Sequence, residues 1–256
     1  MSMIRVAKSF GNIFVRSVKT SLFCFFPLLL SSVLFFVPFF LLDRFFWNEE
    51  MYYNRMVSIL TLPGYTIIDV LVSAFIFVFF FLYVIALTNI IGAYDRKEKI
   101  SFWKAYTVGF RKWPVYFFMQ VAIIFHTIIR LFLIYPGVVY FARYSMAGFL
   151  LLNEDISRKE AMRRSQDMLK GNIHYFLDHL VIVSLFIYMI SFPYFEFLER
   201  LYVQQRLSYN FSMSVFIDYA QTISMIWIFV YLYIYYYYLY VDISQNNRGE
   251  ENESNH

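Results

Sequence analysis

Few residues in this chain are equipped for chemistry, and most of those lie inside long apolar runs. Asp69, Arg130 and Arg143 are ionisable side chains that lie a few residues inside such runs. A charge inside a bilayer is costly, so each marks a candidate site. Asp69 stands about four residues into its run, Arg130 about five from the far end of its own, and Arg143 about six past Pro136-Gly137. At roughly 1.5 Å per helical residue, all three fall about 5–9 Å below the same surface. One arginine would pair with Asp69 and the other would be left for an anion such as a lipid phosphate. The alternatives are a purely structural ion pair, or snorkelling of each side chain to the nearby interface.

His126 and Asp178 are secondary candidates. His126 precedes Arg130 by four residues and shares its helix face, as a proton relay would require. A hydrogen-bonded packing histidine fits the same position. Asp178 and His179 open the fifth apolar run, with His174 a turn before. His174 and Asp178 share a face, but two ligands are too few for a metal, and interfacial polar residues fit the same pattern. The single cysteine, Cys24, lies in an apolar run and reads as a small hydrophobe. There is no Gly-x-x-x-x-Gly-Lys phosphate loop and no Gly-x-Ser-x-Gly nucleophile turn. These residues point to no enzyme, metal or cofactor.

The elements that must position these groups are read from composition and hydropathy. Hydrophobic residues make up 60% of the chain and charged residues 16%, with 32 Phe and 23 Tyr. A soluble domain of this size cannot hide that much apolar surface. Six runs approach the ~20 apolar residues that a spanning helix needs: 20–42, 66–93, 114–134, 138–152, 173–194 and 216–241. None shows the alternation of a barrel strand, so the expected fold is all-α, a polytopic transmembrane bundle of about six spans. The third and fourth runs are joined by Tyr135-Pro136-Gly137, read as a tight hairpin; a re-entrant half-helix would leave five spans. The first run is too long for a cleaved leader, lacks a small-residue cleavage site, and is read as retained. Residues 1–245 form one domain, and 246–256 a polar tail that composition reads as disordered.

Charge sets the orientation. Arg5, Lys8, Arg16 and Lys19 precede the first run, six Lys and Arg occupy 94–113, and five occupy 153–172. With six spans these share a side, facing only Arg44, Arg55, Arg200 and Arg206 on the other. Both termini are then cytoplasmic and the protein sits in the inner membrane. The basic connections read as short amphipathic helices on anionic headgroups. In 157–171, Ser157 and Glu160 form a capping-box pattern and Gly171 a helix stop, with Ala161, Met162, Ser165, Met168 and Leu169 on one face. Ile100-Ser101 and Ala105 match Ile156-Ser157 and Ala161 at an offset of 56. With the N-terminal arm this suggests three repeats of a basic helix followed by two spans. Trp47, Trp103, Trp113 and the Tyr run at 235–240 read as an interface belt.

Pro136-Gly137, Arg143, Ser145, Glu154-Asp155, Ser157, Glu160-Ala161, Arg164-Ser165 and Gly171-Asn172 form a spaced series. It resembles the membrane domain found with some bacterial glycerophosphodiester phosphodiesterases, and related uncharacterised membrane proteins that lack the enzyme domain. Leu239-Tyr240-Val241-Asp242 resembles that family's closing motif, without its usual following arginine. The resemblance implies a six-span bundle, and no phosphodiesterase, because the chain has neither room for that domain nor its opening His-Arg-Gly. The function expected is a non-catalytic membrane module that binds lipid or a membrane protein partner. The alternative is a small transporter or permeation unit using the intramembrane arginines. The basic patches fit a membrane surface and not nucleic acid.

Overall fold

The structure is a computed structural model. It describes the backbone of residues 3–33, 35, 63–98, 101–207 and 211–254, and the side chains at 6–33, 35, 74, 77–98, 101–204, 217 and 220–247. The described elements are all helical: α1 (Met3–Phe23), α2 (Phe25–Val33), α3 (Pro63–Asp95), α4 (Phe102–Leu131), α5 (Tyr135–Tyr144), α6 (Ala147–Glu154), α7 (Arg158–Leu169), α8 (Ile173–Leu207) and α9 (Phe211–Ser254). Among the described residues, four helical stretches are long and apolar enough to cross a membrane: Phe77–Asp95, Phe102–Leu131, Ile173–Gln204 and Ala220–Asn247. The bent pair α1–α2 makes a fifth if counted as one crossing. Its break falls at Cys24, three residues before Pro27, whose ring excludes the carbonyl four residues back and supplies no N–H.

The run 138–152, expected as one span, is two short helices. The break is local chemistry. Ser145 turns both its hydroxyl, at 2.8 Å, and its N–H, at 3.4 Å, onto the carbonyl of Ala142. Those bonds tighten the turn and end α5. The expected surface helix before the third span is likewise not separate. It forms the first turns of α4, whose 30 residues make roughly 45 Å of helix, longer than the ~30 Å apolar core of a bilayer. Composition predicts a tail from residue 246, yet α9 runs on to Ser254. Asn247 holds it there, donating to the Met168 carbonyl at 3.0 Å and accepting from Asn172 at 3.0 Å.

The chain divides into two packed units. One comprises Phe23–His126 and Ala147–Ala161. Its core is Leu28 of α2, the Phe81–Ala93 stretch of α3, Tyr116, Met119 and Ile123 of α4, and the whole apolar run of α6. Polar side chains fasten it: Ser32 to Tyr83 at 2.9 Å, Ser31 to Tyr106 at 2.8 Å, and Trp113 Nε1 to the Val78 carbonyl at 3.1 Å. Gly148 of α6 fits against Tyr116 and Gln120, where a methyl would stand 3.0 and 2.7 Å away. Beyond α6, Lys112 Nζ meets Asp155 Oδ1 at 2.7 Å and the Leu152 carbonyl at 3.3 Å.

The other unit comprises Met1–Leu22, Thr127–Met146 and Met162–His256. Here α9 lies along α8, and α5 packs on α8 as well. Val6, Ile13, Ser17 and Thr20 form the buried face of α1. That face differs from the Ile4, Ala7, Phe10 and Phe14 stripe suggested by the repeat; Ala7 is exposed and Phe10 half-buried. In α7, Ala161, Ser165, Met168 and Leu169 are buried, whereas Arg163, Arg164, Asp167 and Lys170 are exposed. Only 6% of the apolar window of α8 is buried, which leaves Leu185, Tyr188, Met189, Ile190 and Phe197 open along its length.

Candidate functional site

The hairpin between α4 and α5 organises the first candidate site. The last turn of α4 closes with Leu133 N–H on the Arg130 carbonyl at 3.0 Å and Ile134 N–H on the Leu131 carbonyl at 2.8 Å. Ile134 then adopts φ +48°, a left-handed conformation that a β-branched residue rarely takes. Pro136 follows in the first turn of α5, where its missing N–H costs no bond. Gly137 lets α5 press on the turn: a methyl there would stand 2.6 Å from the Leu131 backbone nitrogen.

This reversal sets the Arg130 guanidinium 3.9 Å from the Tyr140 ring centroid, within cation–π range. Arg143 follows Tyr140 by three residues and so shares its helix face. Tyr144 packs on Tyr140 with centroids 4.6 Å apart and donates to Gln166 Oε1 at 3.3 Å. The buried Ser165 hydroxyl donates to the Arg143 carbonyl at 2.8 Å, fixing the end of α5 to α7. Both arginines are exposed, and among the described residues neither has a carboxylate within ion-pair distance. Each stands in the last turn of its helix, where unpaired carbonyls favour a cation. The tip beside them is apolar and open: Phe132 is 95% exposed, and Leu133, Ile134 and Tyr135 more than 70%.

Of the expected trio, Arg130 lies on α4 and Arg143 on α5, both exposed. Asp69 lies on α3, but its side chain is outside those described, so its pairing is too. His126 is exposed on α4, with its ring edge against Phe125, and falls in the other unit from Arg130. Asp178 is exposed on α8, as is His174. The break at Ser145 puts Gly137 and Gly148 on different helices. Gly137 serves the hairpin and Gly148 the packing of α6 on α4. Among the described residues no three His, Cys, Asp or Glu side chains gather closely enough for a metal ion.

A second polar assembly lies inside the same unit, and residue types alone did not mark it. His179 is fully buried, with Nδ1 2.7 Å from the Tyr235 hydroxyl. Tyr175, one turn earlier on α8, packs its ring edge on His179 at 4.5 Å and donates to Asp242 Oδ2 at 2.6 Å. Ser9 of α1 bonds the same carboxylate at 3.2 Å, and Asn246 reaches it at 3.4 Å. Tyr238 bonds Thr20 at 2.7 Å, beneath the Arg16 guanidinium at 4.4 Å from its ring. On α9, Tyr231, Tyr235, Tyr238 and Asp242 recur at spacings of four, three and four, which is one helix face. That spacing was the available signal, hidden among the tyrosines read as an interface belt.

Comparison with protein-family models, with curated proteins and with solved structures finds no match. The function is therefore argued from geometry alone.

Proposed function

We propose that the chain is an integral membrane module, non-catalytic, that holds an anionic phospholipid at the α4–α5 hairpin. The observation that carries this is the Arg130–Tyr140–Arg143 group beside the open tip 132–135. Two guanidinium groups with no carboxylate partner among the described residues suit a phosphate, which each engages through paired N–H donors. An aromatic ring under one of them limits its motion. The adjoining apolar tip suits acyl chains and not water, since exposed apolar surface of this kind marks a membrane or partner contact. The ligand chemistry therefore combines a headgroup phosphate with a hydrocarbon tail.

The topology we propose has six crossings, with α5 and α6 together as a broken fourth. Residues 135–154 approach in number the ~20 residues that one crossing needs. Both termini and the exposed basic residues of α4 and α7 then face the cytoplasm, against anionic headgroups. The resemblance over residues 136–172 supports the same architecture.

The test is native mass spectrometry of the full chain released from nanodiscs of mixed zwitterionic and anionic phospholipid. One anionic lipid should stay bound to the wild type. Arg130→Gln with Arg143→Gln should lose it, since each charged hydrogen bond removed costs about 1.5–3 kcal/mol, or roughly 10–100-fold in affinity. Equal retention by the double variant refutes the site. A stoichiometric protein partner with no retained lipid would assign the hairpin to protein docking instead.

A further inference from the structure

The seam of α1, α8 and α9 has two features that lipid binding does not use. The first is an imidazole with one nitrogen unspent: His179 is fully buried, Nδ1 is bonded to Tyr235, and Nε2 has no hydrogen-bond partner. Buried polar atoms are satisfied in the great majority of cases, so an orphan marks a missing ligand, water or proton. The second is a carboxylate without a cation. Asp242 receives donors from Tyr175, Ser9 and Asn246, but among the described residues no Lys, Arg or His forms an ion pair with it. With His179 neutral, these two groups together carry one negative charge inside the packed unit. A third atom adds to the pattern: the Tyr231 hydroxyl, one turn from Tyr235, is buried and unbonded.

We propose that this seam is a proton-binding site, in which Nε2 of His179 takes one proton from the aqueous phase and Asp242 supplies the balancing charge. The Nε2 lone pair forms the new N–H bond, and no bond within the protein breaks. In the tautomer that leaves the Nε2 lone pair free, Nδ1–H donates to the Tyr235 oxygen, and the imidazolium keeps that acceptor. The new Nε2–H needs a second acceptor, which a single bound water supplies. Ser9, Asp242 and Asn246 are half-buried, whereas His179 is fully buried. His179 lies six residues into α8, roughly 9 Å along it.

The groups around His179 are accounted for element by element. Its own helix contributes Tyr175 and, exposed, Asp178. Helix α9 contributes Tyr235 and Asp242, with Tyr231 and Tyr238 a turn to either side of Tyr235. Helix α1 contributes Ser9, and places Arg16 over Tyr238. Helix α5 also packs on α8 and carries Tyr140, Arg143 and Tyr144, none of them hydrogen-bonded to His179. The carboxylates that act on the imidazole are Asp242, on α9, and Asp178, on its own helix.

The experiment is ¹⁵N NMR of the full chain, labelled at histidine and held in lipid nanodiscs, from pH 4 to pH 9. The chain has four histidines, and the His179 signal is the one lost in His179→Gln. The expected result is a single step of His179 from neutral imidazole to imidazolium. In Asp242→Asn the ratio of imidazolium to imidazole at fixed pH should fall about tenfold or more. Tyr235→Phe keeps the volume and removes the acceptor at Nδ1, so it too should lower that ratio; it serves if Asp242→Asn does not fold. A His179 signal that stays neutral throughout overturns the proposal. So does a step that neither variant moves.

Discussion

Gly137→Ala should destabilise the protein although alanine is the better helix former. Gly137 sits inside α5, and relief of its backbone entropy alone would favour the change by about 1 kcal/mol. The added methyl, however, would lie 2.6 Å from the Leu131 nitrogen, 2.7 Å from its Cα and 2.9 Å from its Cγ, well under the 3.4 Å at which ordinary contact begins. Two of those atoms are backbone, so no side chain can rotate away and the hairpin itself must open. Overpacking of this kind costs about 1–3 kcal/mol, and an unyielding neighbour places this case at or above the upper end. The net loss is about 2 kcal/mol. In a chain of this size that lowers the unfolding midpoint by about 4–8 °C. Gly11→Ala is the control of opposite sign. Gly11 lies within α1 with nothing within 4 Å of an added methyl, so the midpoint should rise by about 1–4 °C. Thermal unfolding of both variants in one lipid nanodisc preparation decides it. Gly137→Ala should also weaken lipid retention, because an opened hairpin lifts Arg130 from Tyr140. A Gly137→Ala midpoint at or above wild type would refute the close packing of α5 on Leu131.

Three further outcomes follow from the connections. The Lys112 ammonium, hydrogen-bonded to Asp155, holds that carboxyl below the usual aspartate value of 3.8. A depressed folded value contributes stability above the unfolded value, lost as pH falls through the folded one. Hydrogen exchange over residues 153–158 should therefore quicken only below about pH 4. Asp155→Asn should remove that acid step, and salt should weaken it, since the pair is exposed. Ser157→Ala deletes the 3.3 Å bond from Glu160 N–H that caps α7, at a cost of about 0.5–2 kcal/mol read as faster exchange in its first turn. Gly171 ends α7 at φ +93° in open space, so Gly171→Ala should cost about 1–2 kcal/mol in unfolding midpoint through strain alone, and Gly171→Asn less.

What the sequence made legible were features with a fixed local period or a fixed local stereochemistry. Long apolar runs announce helices whatever they pack against: α3, α8 and α9 cover theirs, and α4 covers its own up to Leu131. The Pro136-Gly137 turn, the Ser157 cap and the Gly171 stop each depend on one residue's backbone and were readable for that reason. The break at Ser145 was not, because a serine hydroxyl turning back on its own helix leaves no mark in hydropathy. The face of α1 was misplaced for a different reason. Its buried line includes Ser17 and Thr20, which a hydrophobic stripe passes over, and both are buried by bonding to carbonyls one turn back.

The two candidate sites differ in the same way. Arg130 and Arg143 could be found by asking where a charge is expensive, since that question needs only depth along a helix. What Arg130 meets is Tyr140, an unremarkable residue type in a chain with 23 tyrosines, and Arg143 follows it by three residues. The seam reverses this logic. Its residues are mostly hydroxyls, whose burial is tolerated when bonded, so no single one is expensive enough to be conspicuous. Only their joint satisfaction shows that a polar line runs through the packing of α1, α8 and α9: Ser9, Thr20, Tyr175, Tyr235 and Tyr238 each have a partner on another helix. Against that background the unbonded Nε2 of His179 and the unbonded Tyr231 hydroxyl, one turn from Tyr235, stand out, and the proposed proton uptake starts from them.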